Sequence, residues 1–216
     1  MIFVVIWGFW PYFASPFGGE VRRPLVIHVH AVVFSGWMAL LLTQVILAAN
    51  RRIDLHRRVG RFGIGYGVVV LFMGLVASFV APAEHVRAGR WTLDEAASFL
   101  ILPLGDMLLF AGFFGAAVAY RRTPETHKRL IVLATIAVLF APAARAGSPS
   151  LVAIVGIWLL PLALAAGHDA WTRGRVHVTY VLGTVILLIG LARLSLMDGE
   201  PWLRAGRAMM QPFLQG

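Results

Sequence analysis

Three times along this 216-residue chain, a short basic stretch leads into a histidine that opens a long apolar run. The segments are Arg51-Arg52-Ile53-Asp54-Leu55-His56, Arg121-Arg122-Thr123-Pro124-Glu125-Thr126-His127 and Arg173-Gly174-Arg175-Val176-His177. Runs of roughly 20 apolar residues flank them, enough to cross a ~30 Å hydrocarbon core. Within lipid a single chain segment satisfies its own N–H and C=O groups only as a helix. The pattern therefore predicts three helical hairpins that turn at one membrane face.

Composition agrees. Hydrophobic residues make up 59% of the chain and charged residues 13%, against about 25% charged in soluble domains. The net charge of +9 lies mostly in loops between apolar runs, where it sets topology rather than recruiting nucleic acid. No cysteine is present, which removes disulfides, thiolate metal sites and covalent c-type haem.

The expected fold is all-α: one integral membrane domain over residues 1–216, a bundle of seven transmembrane helices. Spans are predicted at 1–13, 25–49, 62–81, 96–120, 124–144, 151–167 and 178–196. Thr92-Leu93-Asp94-Glu95 reads as a capping box, in which the Thr hydroxyl and the Glu carboxylate each satisfy an orphan backbone N–H. Thr123-Pro124 and Ser148-Pro149 each place a cap residue before a helix-opening proline. The apolar segment 1–13 is short and interrupted by Pro11, with no basic leader or cleavage site. It reads as a span that begins inside the bilayer or starts upstream. Residues 201–210 read as an amphipathic helix on the outer membrane surface.

Orientation follows from the cations. The loops at 50–61, 121–129 and 170–177 carry eleven Arg and Lys side chains against Asp54, Glu125 and Asp169. The opposite loops and tail carry seven arginines against six acids. The positive-inside rule makes the histidine-bearing loops cytoplasmic and the C-terminus periplasmic.

That orientation brings His56, His127 and His177 to one side, joined by His168 at the end of the sixth predicted span. Arg and His at this level can simply serve lipid head groups. Converging, the four histidines are competent ligands for haem b, and His56, His127 and His177 for a transition metal ion. No spacing matches a local metal motif such as His-Glu-x-x-His, and no catalytic motif points to an enzyme. In the other leaflet, Asp106 lies deep in an apolar run and needs a partner. Arg193, His28, His30 and Arg145 complete an expected intramembrane polar cluster there. A retinal Schiff base is excluded because the only lysine, Lys128, lies in a loop.

His28-Val29-His30 opening a span, Leu55-His56-Arg57-Arg58-Val59-Gly60-Arg61 after Asn50, and Pro124-Glu125-Thr126-His127-Lys128-Arg129-Leu130 resemble a group of uncharacterised bacterial multi-span membrane proteins. The likeness runs over most of the chain from about Leu25 onward. The His-Arg and His-Lys elements at span starts are also remotely similar to membrane proteins of haem-copper oxidase assembly. That resemblance implies a bacterial inner membrane and a role near haem or copper insertion, with His56 and His127 as the corresponding positions. No cysteine is available as a copper-chaperone ligand.

Three functions follow as expectations. The first is haem or metal binding in respiratory biogenesis or electron transfer. The second is a non-catalytic accessory subunit packed against a larger membrane complex. The third is quinone or proton handling at Asp106.

Overall fold

A computed structural model describes residues 1–14, 24–146 and 150–215. Among the described residues ten α-helices run in order: α1 (Ile2–Gly8), α2 (Trp10–Ala14), α3 (Leu25–Ala49), α4 (Ile53–Arg87), α5 (Leu93–Ala119), α6 (Pro124–Ala137), α7 (Phe140–Arg145), α8 (Leu151–Arg173), α9 (Val178–Leu191) and α10 (Glu200–Met210). Five stretches among the described residues are long and apolar enough to cross a bilayer: α3, α4, α5, α8, and α9 with the 3-10 turn that extends it to Ser195. The chain is a helical membrane protein. Its outward faces are apolar, with Val32 and Phe72 among the side chains left open to lipid.

Helix limits follow local chemistry. At the start of α5, Thr92 Oγ1 accepts from the Glu95 N–H at 3.2 Å, and Glu95 Oε2 accepts from the Thr92 N–H at 2.7 Å. Pro124 opens α6, where its missing N–H costs nothing. The Ser148-Pro149 start lies outside the described residues. The span expected at 62–81 is the middle of a 35-residue helix, and that at 151–167 the first part of a 23-residue one. At 1.5 Å per residue α4 is about 50 Å long and outruns the hydrocarbon. Its polar first turn carries His56 beyond the apolar stretch.

Two expected spans are broken. Residues 1–13 form α1 and α2, of 7 and 5 residues. The run 124–144 divides into α6 and α7 at Val138-Leu139. Pro142 explains the second break: it lacks an N–H for the Val138 carbonyl, and in a continuous helix its ring would collide with that carbonyl. In the first turn of a new helix the same proline is tolerated. At the break the Leu139 N–H turns back to the Ile136 carbonyl at 3.0 Å, and the indole N–H of fully buried Trp158 on α8 reaches the same carbonyl at 2.7 Å. Trp158→Phe should therefore cost about 1–3 kcal/mol, through the lost interhelix hydrogen bond and the smaller ring at a fully buried position. Unfolding measurements in detergent check this, and a Phe variant as stable as the parent would contradict it.

The core forms around α6. Leu133, Ala134, Ile136 and Ala137 are buried against α5, α8 and α9. Trp37 on α3 donates its indole N–H to Thr135 on α6 at 3.2 Å. Trp37 and Trp158 thus belong to the interior. On α4, a Cβ at Gly67 would overlap the Phe114 ring of α5, but Gly65 has open space. Of the alternating Gly63, Gly65 and Gly67, only some serve close helix approach.

The amphipathic α10 docks on protein. Trp202 donates to the Ala97 carbonyl at 2.8 Å, Gly206 meets Ala97, Met210 is fully buried, and Arg207 binds Asp94 through both carboxylate oxygens at 2.5 and 3.0 Å. Its apolar face is covered by α5.

Candidate functional site

The turns after α3, α5 and α8 gather at one end of the bundle, around a cavity of about 770 Å³. Its walls are mostly apolar: Trp37, Leu40 and Leu41 of α3, Ile64 of α4, Phe114 of α5 and Ile131 of α6. Such a volume suits a sizeable organic ligand. Its polar lining includes Gln44, His56, His127, Lys128, His168 and Arg173.

Three of the four sequence-selected histidines therefore share this cavity. His56 Nδ1 lies 3.3 Å from the Gln44 carbonyl, and His127 Nδ1 lies 2.8 Å from the Ala117 carbonyl. A carbonyl only accepts, so each ring donates its Nδ1–H. The neutral tautomer then leaves Nε2 with a lone pair. Metal-ligating imidazoles are commonly oriented by this outer hydrogen bond. His168 lines the same cavity at the end of α8.

His177 stands apart. It caps α9, its Nδ1 accepting from the Thr179 N–H at 3.2 Å. Burial and then the nearby Arg129 charge lower its pKa from the ordinary histidine value, which favours the neutral, accepting ring. Among the described residues no group of three or more His, Asp or Glu side chains is placed to hold a metal ion. The expected metal site of His56, His127 and His177 is thus not assembled, because the cap commits His177 to its own helix.

Beside the histidines lies a clamp that sequence reasoning missed. Arg129 on α6 is fully buried. It donates to both Asp169 oxygens on α8 at 2.7 and 2.5 Å, and to the Glu125 carboxylate at 2.8 Å and carbonyl at 2.6 Å. Arg173 adds an ion pair to Glu125 at 2.6 Å, and the Tyr180 ring of α9 lies 5.5 Å below the Arg129 guanidinium. The i, i+4 pairs Glu125/Arg129 and Asp169/Arg173 were the available signal. Counting Arg129 only as a topology-setting cation hid it.

Of the expected polar cluster in the other leaflet, Asp106 and Arg193 meet: Arg193 Nη2 donates to Asp106 Oδ1, with both side chains buried. Arg193 also reaches the Gly190 carbonyl at 3.1 Å and the Phe140 ring. Gly105 makes the space, since a Cβ there would sit 2.6 Å from Arg193 Cδ. The remaining three residues engage other groups. His28 pairs with the Tyr12 hydroxyl at 2.9 Å, His30 stacks on Phe34, and Arg145 covers the Phe9 ring. The five-residue cluster is therefore corrected to one ion pair, because helix rotation directs the two histidines and Arg145 to nearer aromatic neighbours.

No protein-family model matches this chain, and neither does any curated protein or solved structure.

Proposed function

We propose that this chain is a haem b-binding protein of a bacterial inner membrane, in which His56 and His127 would hold the iron. One observation carries the reading: both imidazoles line one apolar-walled cavity with their Nδ1 atoms tied to backbone carbonyls. The donor set fits a haem. Two lone-pair nitrogens suit the iron, the apolar walls suit the macrocycle, and the rim is cationic where propionates need charge. There Lys128 and Arg173 line the cavity against Asp169. Haem, when bound, supplies a one-electron iron couple. The protein's own residues fix ring orientation and exclude water, which points to electron transfer or haem handling in respiratory biogenesis. The remote resemblance to haem-copper oxidase assembly proteins runs in the same direction. The Asp106 pair is structural in this account, since its carboxylate is already engaged by Arg193.

Titration of the purified protein with haem tests the reading. One haem should bind per chain with a low-spin bis-imidazole spectrum, and His127→Ala should abolish that spectrum. A parent protein that takes up no haem would defeat the proposal.

The same account takes the chain across the membrane seven times. Pro124 to Arg145 is 22 residues, about 33 Å of helix at 1.5 Å per residue. A broken helix is tolerated at membrane depth when buried in protein, and α6 and α7 are lined by buried residues. Segment 1–13 is the partial seventh crossing, packed on α7 at Gly8. The arginine asymmetry puts the histidine end in the cytoplasm. A reporter fused after Arg122 should be active only in the cytoplasm and one after Leu214 only outside, and either result reversed would invert the site.

A further inference from the structure

The cations of the three basic turns are not engaged alike. Around the α5–α6 and α8–α9 turns, Lys128, Arg129 and Arg173 are all held by Glu125 and Asp169. The stretch 50–61 instead carries Arg51, Arg52, Arg57, Arg58 and Arg61 against Asp54 alone. All six of these residues are exposed, and among the described residues none of their side chains makes an ion pair or hydrogen bond. Arg57 and Arg58 also stand near the positive end of the α4 dipole, where added cations are least favourable. The uncompensated charge of the histidine end is thus concentrated on one turn, and an external anion there lowers its energy.

The surface beside that charge has a matching shape. Arg58, Arg61 and Gly65 follow at i, i+3 and i+7 on one face of α4, and Phe72 continues that face seven residues further on. Phe62 opens the apolar stretch, so the two guanidiniums stand at head-group level and Gly65 lies just inside the hydrocarbon. A Cβ on Gly65 would meet nothing within 4 Å. This glycine serves no helix contact, although glycine inside a helix weakens it relative to alanine. What it leaves is a notch on the outward face, with exposed Phe62 and Val69 on one side and exposed Val68 on the other. The Phe62 ring packs with Tyr66 at 5.7 Å between centroids, on the side away from Gly65, so the notch stays open.

We propose that the outward face of α4 at the histidine end binds an anionic phospholipid, its phosphate held between Arg58 and Arg61 and one acyl chain laid over Gly65 toward Phe72. The apolar part of this face lies against the bilayer, so a lipid occupies it and only the head group needs deciding. Charge decides it. Two arginines three residues apart on a helix are neighbours, and guanidinium forks match phosphate oxygens.

Native mass spectrometry of the full chain in detergent tests this, with phosphatidylglycerol and phosphatidylcholine of identical acyl chains as probes. The parent should retain phosphatidylglycerol at least about tenfold better, the weight of two interfacial arginines. Arg58→Gln/Arg61→Gln should lose that preference, whereas Arg121→Gln/Arg122→Gln, which removes the same charge from a neighbouring turn, should keep it. Gly65→Leu should weaken phosphatidylglycerol retention with every charge in place, because it fills the notch. All five positions are exposed, so helical content by circular dichroism should match the parent throughout. Equal losses in the two double variants would reduce the effect to a general cationic collar and overturn the inference. So would a Gly65→Leu variant that retains the lipid like the parent. A parent without head-group preference that runs as a dimer, split by Gly65→Leu, would overturn it too and give this face to a second copy of the chain.

Discussion

Replacing Asp106 with leucine should destabilise the protein by about 3–5 kcal/mol, the usual cost of stranding one partner of a buried ion pair. Asp106 and Arg193 are 5% and 9% exposed. Without the carboxylate, Arg193 keeps only the Gly190 carbonyl and the Phe140 ring, and its Nε is already buried without a partner. A guanidinium cannot shed its proton, so the charge stays in an apolar layer. Arg193→Leu should cost less, since an abandoned carboxyl can neutralise itself by taking up a proton. The double variant, Asp106→Leu with Arg193→Leu, should recover most of the loss because it leaves neither charge. Unfolding midpoints of the four proteins in mild detergent give the coupling. Single effects that simply add would show that the pair contributes nothing jointly.

Arg129→Met should cost a similar amount and empty the cavity as well. The guanidinium joins α6 to α8 through two hydrogen bonds to Asp169, holds Glu125 through two more, and packs on Tyr180 of α9. His127 and Lys128 on one side, and His168 and Thr172 on the other, hang on the two helices it joins. Its loss leaves Asp169 with the His177 backbone N–H and the distant Arg173, at 3.8 Å, and lets the walls separate. Arg129→Lys should rescue little, because an ammonium cannot reproduce a bidentate fork and reach Glu125 together. A lysine variant with parental stability and haem uptake would show that charge alone suffices at this position.

Legibility in the sequence followed the range of each interaction. The apolar runs and the Thr92–Glu95 cap are local, and both were readable as helices with defined starts. The common end of the three basic turns was readable too, since alternating crossings bring them together, and the cavity lined by His56, His127 and His168 lies there. What escaped depended on partners remote in the chain. The break at Val138-Leu139 requires Pro142 locally but also Trp158, 22 residues from the carbonyl it serves. Arg129 meets Asp169 across 40 residues, and nothing in its basic neighbourhood distinguishes it from head-group arginines. Trp202 and Gly206 dock on Ala97 across more than a hundred residues, so α10 resembled a lipid-facing helix. Side-chain direction set the rest. The apolar periodicity of α9 does not reveal that His177 turns back to cap its own helix.

Low-temperature electron paramagnetic resonance of the ferric haem-loaded protein tests the central claim most directly, because the spectrum reports the axial ligands themselves. The account predicts a single low-spin bis-imidazole species in the parent and in His177→Ala. In His56→Ala and in His127→Ala it predicts conversion to high-spin haem or loss of the haem, with helical content retained. A low-spin bis-imidazole signal that persists at full occupancy in the His56→Ala/His127→Ala double variant would contradict it.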